Sequence, residues 1–316
     1  MKRTTPQRQI LLLLISILTA FALACSSSQP HQESAEPGKD LPYMGKSFDL
    51  DVRWGASPRT VMKRLFQLAD LKKSDVFYDL GCGDGRVVVE AVKQFELLGK
   101  GVDIDPARIV QSRERAVMEG IEKKAVFLNE SFFDTDITDA SVVFIFLNND
   151  LNRKLRPRFL RLLKPGSRII MHTHDMGEWE PDVAETVKCE CVTTGKLECY
   201  RTARLYIVPA NATGTWRWRG KDSEESAVFS QKFQEIKGQI RIGRETITPG
   251  SVQISGEIID ISIFREGKTG IIRQSYLGSV RGDKISGYIT ITQNGSSTIK
   301  EWNARREKKT MSPIDF

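Results

Sequence analysis

Tyr78-Asp79-Leu80-Gly81-Cys82-Gly83-Asp84-Gly85-Arg86 decides the reading of this 316-residue chain. The apolar run Val76–Leu80 leads into it, and a helix pattern, Val87–Phe95, leaves it. Glycine at alternate positions after a strand lets the chain turn sharply and bring its backbone close to a ligand. Dinucleotide sites also use such loops. The acids narrow the choice. Asp79 and Asp84 bracket the glycines and would repel a pyrophosphate, whereas they suit a cationic ligand carrying an amino group.

Outward from the loop, strand and helix patterns alternate. Lys100–Asp105 reads as a second strand, with Asp103 at its end, 18 residues after Gly85. A carboxylate there can accept both hydroxyls of a ribose. Pro106 suits a first helical position, with Asp105 as N-cap and Gly120 as the stop. Ala125–Leu128 and Val142–Leu147 read as strands, Leu155–Leu163 as a helix and Arg168–Met171 as a fifth strand. Thr186–Thr193 and Thr202–Val208 then read as an antiparallel edge hairpin. This order predicts an α/β fold with a doubly wound, mostly parallel sheet. Ligands in such sheets bind beyond the carboxyl ends of the strands, where these acids lie.

The loop, together with Gly101-Val102-Asp103-Ile104-Asp105-Pro106, resembles motif I and post-motif I of class I S-adenosylmethionine-dependent methyltransferases. The resemblance covers about residues 55–208. It implies a seven-strand Rossmann-like sheet with the last strand antiparallel and S-adenosylmethionine as cofactor. It also implies that Asp79, Gly81, Gly83, Asp84 and Gly85 lie near the methionine part and Asp103 on the ribose. The family often has an acid after the third strand for the adenine amino group; by spacing Ser131 stands there, one residue after Glu130. The segment from Phe144 through Asn148-Asn149-Asp150, on to Lys164-Pro165-Gly166, resembles seven-strand protein-lysine methyltransferases. In these, polar residues after the fourth strand line the site of methyl transfer. His172 and Asp175-Met176-Gly177-Glu178-Trp179 stand where bacterial relatives carry a His and Asp-Met-Gly-x-Trp.

Methyl transfer is an in-line displacement, so alignment and exclusion of water matter most. Asn148, Asn149 and Asp150 are candidates to orient an amine, and His172 to accept a proton near neutral pH. The competing reading is that they cap the following helix. Trp54 and Trp179 either cover the ligand or pack ordinarily. The acceptor is open between protein, lysine above all, and a small molecule. A different reading keeps the fold as a non-catalytic envelope lipoprotein that acts as a binding module. No nucleic-acid signature stands out.

Past Pro209 the pattern changes to period two. Trp216 and Trp218, then Ile259, Ile261 and Ile263, then Ile285, Ile289 and Ile291 share faces, and Gly282-Asp283 and Asn294-Gly295 are turn dipeptides. Residues 211–316 read as a small antiparallel barrel or sandwich, after a methyltransferase-like domain over 45–210. The net charge of +7 is uneven: 211–316 carries +5. That surface, and the basic run Arg153 to Lys164, suit an anionic partner or a solvated face.

Lys2, Arg3 and Arg8 precede the uncharged apolar run Ile10–Ala24, which ends Ala22-Leu23-Ala24-Cys25. This has the layout of a signal peptide over 1–24, followed by a tether over 25–44. Cleavage before Cys25 resembles lipoprotein processing, and predicts an exported, envelope-located protein with Cys25 lipid-anchored in a membrane; Ala22 and Ala24 also fit an ordinary A-x-A cleavage site, and an uncleaved anchor would equally place the chain outside the cytoplasm. Initiation at Met44 would instead give a cytoplasmic enzyme. Export permits disulfides: Cys191 and Cys199 flank a turn-like Thr-Thr-Gly and either face each other across a hairpin or stay free as half-buried thiols. No metal site is expected: Cys189-Glu-Cys191 lacks a second pair, and His172-Thr-His174 lacks a third ligand.

Overall fold

The computed structural model describes residues 55–189, 199–220, 224–267 and 269–316. Cys25, His31, Trp54 and Cys191, the expected signal and the tether lie outside them. The seven-stranded sheet contains β1 (Val76–Leu80), β2 (Leu98–Asp103), β3 (Ala125–Asn129), β4 (Val142–Ile145), β5 (Arg168–His172), β6 (Val183–Cys189) and β7 (Cys199–Ile207). Its order is β3-β2-β1-β4-β5-β7-β6. β1 to β5 pair in parallel, and β7 runs antiparallel to both β5 and β6. The mostly parallel sheet and its antiparallel edge follow the expectation.

The helices are α1 (Arg59–Ala69), α2 (Arg86–Phe95), α3 (Pro106–Met118) and α4 (Asn149–Leu162). α1 carries no side-chain cap at Pro58, and its segment does not stand out as a helix in the sequence. Its apolar stripe, Val61, Met62, Leu65, Phe66 and Ala69, is buried against β5, β6 and β7. The cap of α3 is as expected: the Asp105 side chain accepts from the Ala107 N–H at 2.9 Å. α4 starts six residues before the expected Leu155, because Pro157 inside it hides the helical signal. Adjacent strand residues face opposite sides of the sheet. Phe77 joins the core beneath α1, α2 and α3, while Tyr78 joins the one beneath α4.

The second all-β unit contains β8 (Gly214–Arg219), β9 (Glu224–Lys232), β10 (Glu235–Ile242), β11 (Glu245–Ile247), β12 (Ser251–Ser255), β13 (Ile258–Gly267), β14 (Gly270–Arg281), β15 (Lys284–Gln293) and β16 (Ser296–Arg306). Antiparallel pairing runs from β8 through β9, β10, β12, β13, β14 and β15 to β16, which pairs back onto β8. The unit is thus an eight-strand barrel, not a sandwich, and the ring leaves β11 outside as a short flank of β10. The tryptophans and isoleucines read as sharing faces line its core, where Trp218, Tyr276 and Trp302 meet edge to face.

One expected pairing is corrected. The disulfide joins Cys189 to Cys199, not Cys191 to Cys199. These two residues are register partners at the end of the β6–β7 ladder, which brings their side chains together. Among the described residues no helix is long and apolar enough to cross a membrane.

Candidate active site

The glycine loop leaves the carboxyl end of β1 and turns into α2. Gly81, Gly83 and Gly85 all have positive φ, at 88°, 52° and 75°. That left-handed backbone favours glycine. A Cβ at Gly85 would also lie 2.8 Å from the Phe127 ring and from Ser112. The loop is stitched down: the Gly81 and Cys82 N–H groups donate to the Val102 carbonyl at 2.8 and 2.9 Å, and Ser112 donates to the Gly83 carbonyl at 2.8 Å.

Three acids converge here and are held differently. Asp79 is buried, and its carboxyl is pushed well above the usual range by that burial, then by Asp103 and Asp84. Asp103 accepts the Gly83 N–H at 2.8 Å and the Asp105 N–H at 3.0 Å, so it ties the end of β2 to the loop. Burial raises its carboxyl as well. Asp84 turns toward two cations, pairing with Arg86 at 2.7 Å and Arg115 at 2.9 Å. Burial alone would raise its carboxyl; the two arginines outweigh this and hold it below the usual range. Asp79 and Asp103 are therefore the acids that a bound cation would meet, and Asp84 braces the loop against α3.

Cys82 lies under the loop with 5% of its surface exposed, against Gly101, where a Cβ would come within 2.9 Å of its Sγ. Burial, then Asp79 and Asp103, push its thiol well up. On the adenine side, Ser131 Oγ accepts the Phe133 N–H at 3.2 Å in a local turn. Sequence reasoning passes over two neighbours. Asn129 donates to the Asp103 and Ile104 carbonyls at 3.0 and 2.9 Å, joining the carboxyl ends of β2 and β3. Ile104 presents an apolar side chain, 60% exposed, directly after Asp103.

Across the same sheet end, the residues read as orienting an amine are mostly engaged. Asn148 caps α4, its Oδ1 accepting the Leu151 N–H at 2.9 Å. Asn149 Oδ1 accepts the Asp175 N–H at 3.2 Å, and Asp150 pairs with Arg153. His172 is 1% exposed, its ring 3.9 Å from that of Phe146 and tilted to it by 33°, with Nδ1 3.1 Å from Ser57 Oγ. Burial, then the charges of Arg201 and His174, lower it to about 3. At neutral pH the imidazole is then neutral. Its buried Nε2 has no hydrogen-bond partner among the described residues.

Asn152 escapes the sequence reading. It is fully buried, donates to the Leu147 and Asp175 carbonyls, and keeps an Oδ1 without a partner among the described residues. Thr173 escapes it too; it follows His172 at φ 69°, a strained conformation for a β-branched residue. Trp179 packs within the fold against Tyr206 and Phe233. In the basic run, Arg156 and Arg158 donate to the Met176 and Thr135 carbonyls, so these two hold loops and do not form a free surface.

The glycine loop with these two acids fits S-adenosylmethionine. Asp79 supplies a buried carboxyl that a bound cation would ionise, and Asp103 supplies a carboxyl fixed against the loop.

Residues 79–183 match the family model of the ANTKMT methyltransferase domain. A protein-lysine N-methyltransferase of Saccharolobus islandicus is 35% identical over 163 residues, which is 51% of this chain and 97% of that protein. A human lysine N-methyltransferase named for a component of ATP synthase is 30% identical over 104 residues, 33% of this chain and 44% of that protein. An RNA methyltransferase from Salinibacter ruber, solved with S-adenosyl-L-homocysteine, is 35% identical, with 48% of this chain and 93% of that one covered and a TM-score of 0.43.

Proposed function

This chain belongs to the S-adenosylmethionine-dependent methyltransferase family that includes the Saccharolobus protein-lysine enzyme, and we propose that its acceptor is a lysine side chain of a protein. The observation that carries the reading is the neutral, buried acceptor side of the site. A lysine attacks only as the free amine, so its surroundings must exclude water and offer acceptors for N–H groups. Among the described residues, Asn152 Oδ1 is a buried acceptor without a partner and His172 Nε2 a buried polar atom without one, and such atoms call for a ligand or water; Nε2 accepts in the tautomer whose Nδ1–H donates to Ser57 Oγ. The Saccharolobus and human relatives are lysine methyltransferases by name, which favours the same acceptor class.

The cofactor supplies an electrophilic methyl group on a sulfonium. Asp79 and the loop Gly81–Gly85 would hold its methionine part and Asp103 its ribose. Desolvation at Phe146 and His172 disfavours the ammonium form of the incoming lysine. The low pKa of His172 keeps the imidazole neutral, so it would meet the amine through a hydrogen bond and not carry the proton away.

We further propose that the protein acts outside the cytoplasm, anchored through Cys25. Supporting this are the Lys2–Arg8 charges ahead of the apolar run Ile10–Ala24, and the Cys189–Cys199 disulfide, which suits an oxidising compartment. N-terminal mass analysis of protein from its host should find acylated Cys25; an unacylated chain starting at Met44 would overturn it.

The acceptor is tested with methyl-labelled cofactor and a host lysate. Label should be sensitive to protease, resistant to nuclease and recovered as methyl-lysine. Label recovered in RNA, lipid or small molecules would sink the lysine reading.

A further inference from the structure

The segment after β5 does not simply cross to β6. It leaves the sheet at the end that also carries the glycine loop and Asn148, and it is gripped from both sides. On the sheet side, Asp175 gives its N–H to Asn149 and takes the Asn152 amide on its carbonyl at 3.1 Å. The Met176 N–H donates to the Tyr206 hydroxyl at 3.3 Å. On the barrel side, Lys232 pairs with Glu178, and Gln234 donates to the Glu180 carbonyl at 2.7 Å.

Between those two barrel residues stands Phe233, at the tip of the β9–β10 hairpin. Its φ is 50°, a conformation that a large side chain adopts only when its surroundings impose it. Its ring, with 2% of the residue exposed, is buried in the core under α4 and not in the core of its own barrel. It stacks on Trp179 with an interplanar angle of 2° and centroids 5.7 Å apart. The Arg156 guanidinium lies over the same ring at 4.9 Å and donates to the Met176 carbonyl at 2.9 Å. A continuous chain of contacts thus runs from Phe233 through Arg156 and Met176 to Asp175, and from there to Asn149 and Asn152.

We propose that Phe233 is a positioning residue for the acceptor side of the methyl-transfer site: the barrel plugs one ring into the methyltransferase core, and this fixes the segment that orients Asn149 and Asn152. The contacts themselves are independent of the acceptor; only the functional meaning of that side of the site rests on the lysine reading. Through this ring the barrel serves the neighbouring site instead of being a passive appendage.

The test uses the full chain, amide hydrogen exchange and S-adenosylhomocysteine calorimetry, none of which needs an acceptor. Phe233→Ala should speed exchange at Asp175, Met176 and Gly177 at least about tenfold. Exchange at Gly81–Arg86 and the affinity for S-adenosylhomocysteine should stay within about twofold. Lys232→Ala, which cuts the ion pair but keeps the ring, should leave exchange at Asp175 as in the parent. If Phe233→Ala does not fold, Phe233→Leu, which keeps apolar volume without a flat ring, should show the same pattern at about threefold. Unchanged exchange at Asp175–Gly177 in the folded variant overturns the proposal. So does an equal rise at the glycine loop with loss of S-adenosylhomocysteine binding, which would mark general loosening. Failure of the lysine reading would leave these measurements untouched.

Discussion

Asp84 meets Arg115, 31 residues further along, at 2.9 Å, so an acid of the glycine loop is pinned to the helix that follows the second strand. Removing the charge takes the carboxylate away from both Arg86 and Arg115. Asp84→Asn should lower stability by about 1–3 kcal/mol, less than for a fully buried pair because Arg115 is partly exposed. The pH dependence has a defined sign. The folded carboxyl lies below its unfolded value, so its stabilising effect is present above the unfolded pKa and is lost as pH falls through the folded one. Urea unfolding of parent and variant should show a gap that narrows in acid; a pH-independent gap would refute the ion-pair account.

Asp79 behaves in the opposite sense. Burial raises its carboxyl, so the protonated form is favoured in the cofactor-free fold, and its contribution to stability is lost as pH rises through the folded pKa. A bound cation reverses that preference. Affinity for S-adenosylmethionine should therefore rise with pH through this titration, with proton release on binding. Calorimetry in buffers of different ionisation enthalpy measures the release. Asp79→Asn should bind about 10–100-fold more weakly, the equivalent of one charge-assisted hydrogen bond, and release no proton.

Asp103→Ala removes the proposed ribose acceptor and the anchor for the Gly83 and Asp105 N–H groups. S-adenosylhomocysteine affinity should fall at least about tenfold. Asp103→Asn, which keeps an acceptor oxygen for the backbone, should lose less. Unchanged affinity in the alanine variant would remove the ribose assignment.

His172 is lowered to about 3, so no activity limb near pH 6.5 should belong to it. Its effect should instead be on stability. Below about pH 6.5 the unfolded chain takes a proton that the folded imidazole refuses, and stability falls by up to about 1.4 kcal/mol per pH unit toward the folded value. His172→Gln should flatten that slope in thermal unfolding from pH 7 to 4. An identical slope in both proteins would contradict the burial argument.

Reducing the Cys189–Cys199 bridge opens a loop of sequence separation 10 at the sheet edge. Cys199→Ser should cost about 2–3 kcal/mol in denaturant unfolding. The loop after β1 lies on the far side of β4, β5 and β7 from that edge, so S-adenosylhomocysteine affinity should be unchanged.

The cofactor half of the site is legible in the sequence because its information is local. Glycines at 81, 83 and 85, an acid two residues before the first and another at the end of the next strand suffice to define the loop, and the strands around it lie within a few residues of their expected limits. The acceptor half is not legible. Asn148, Asn149 and Asp150 look like an orienting set, but an asparagine side chain that can bind an amine can equally bind a backbone N–H. Which use prevails depends on Asp175, 26 residues from Asn149. The neutrality of His172 comes from burial against Phe146 and beside Ser57, 115 residues away, neither of which adjoins it in the chain. Phe233 sits in a segment that reads only as a turn; nothing in its neighbours states that its ring belongs to another core.

The burial of Cys82 has a chemical consequence for the enzyme itself. A thiolate is among the strongest nucleophiles a protein carries, and this cysteine lies in the very loop that receives a methyl donor. Kept as a thiol first by its burial and then by the nearby Asp79 and Asp103, it is a poor target for its own cofactor. The same protonation shields it from oxidants, while Cys189 and Cys199 are joined at the distant edge of the sheet. Self-alkylation is suppressed first by the burial that keeps the thiol protonated, so the loop can receive a methyl donor without offering it a nucleophile.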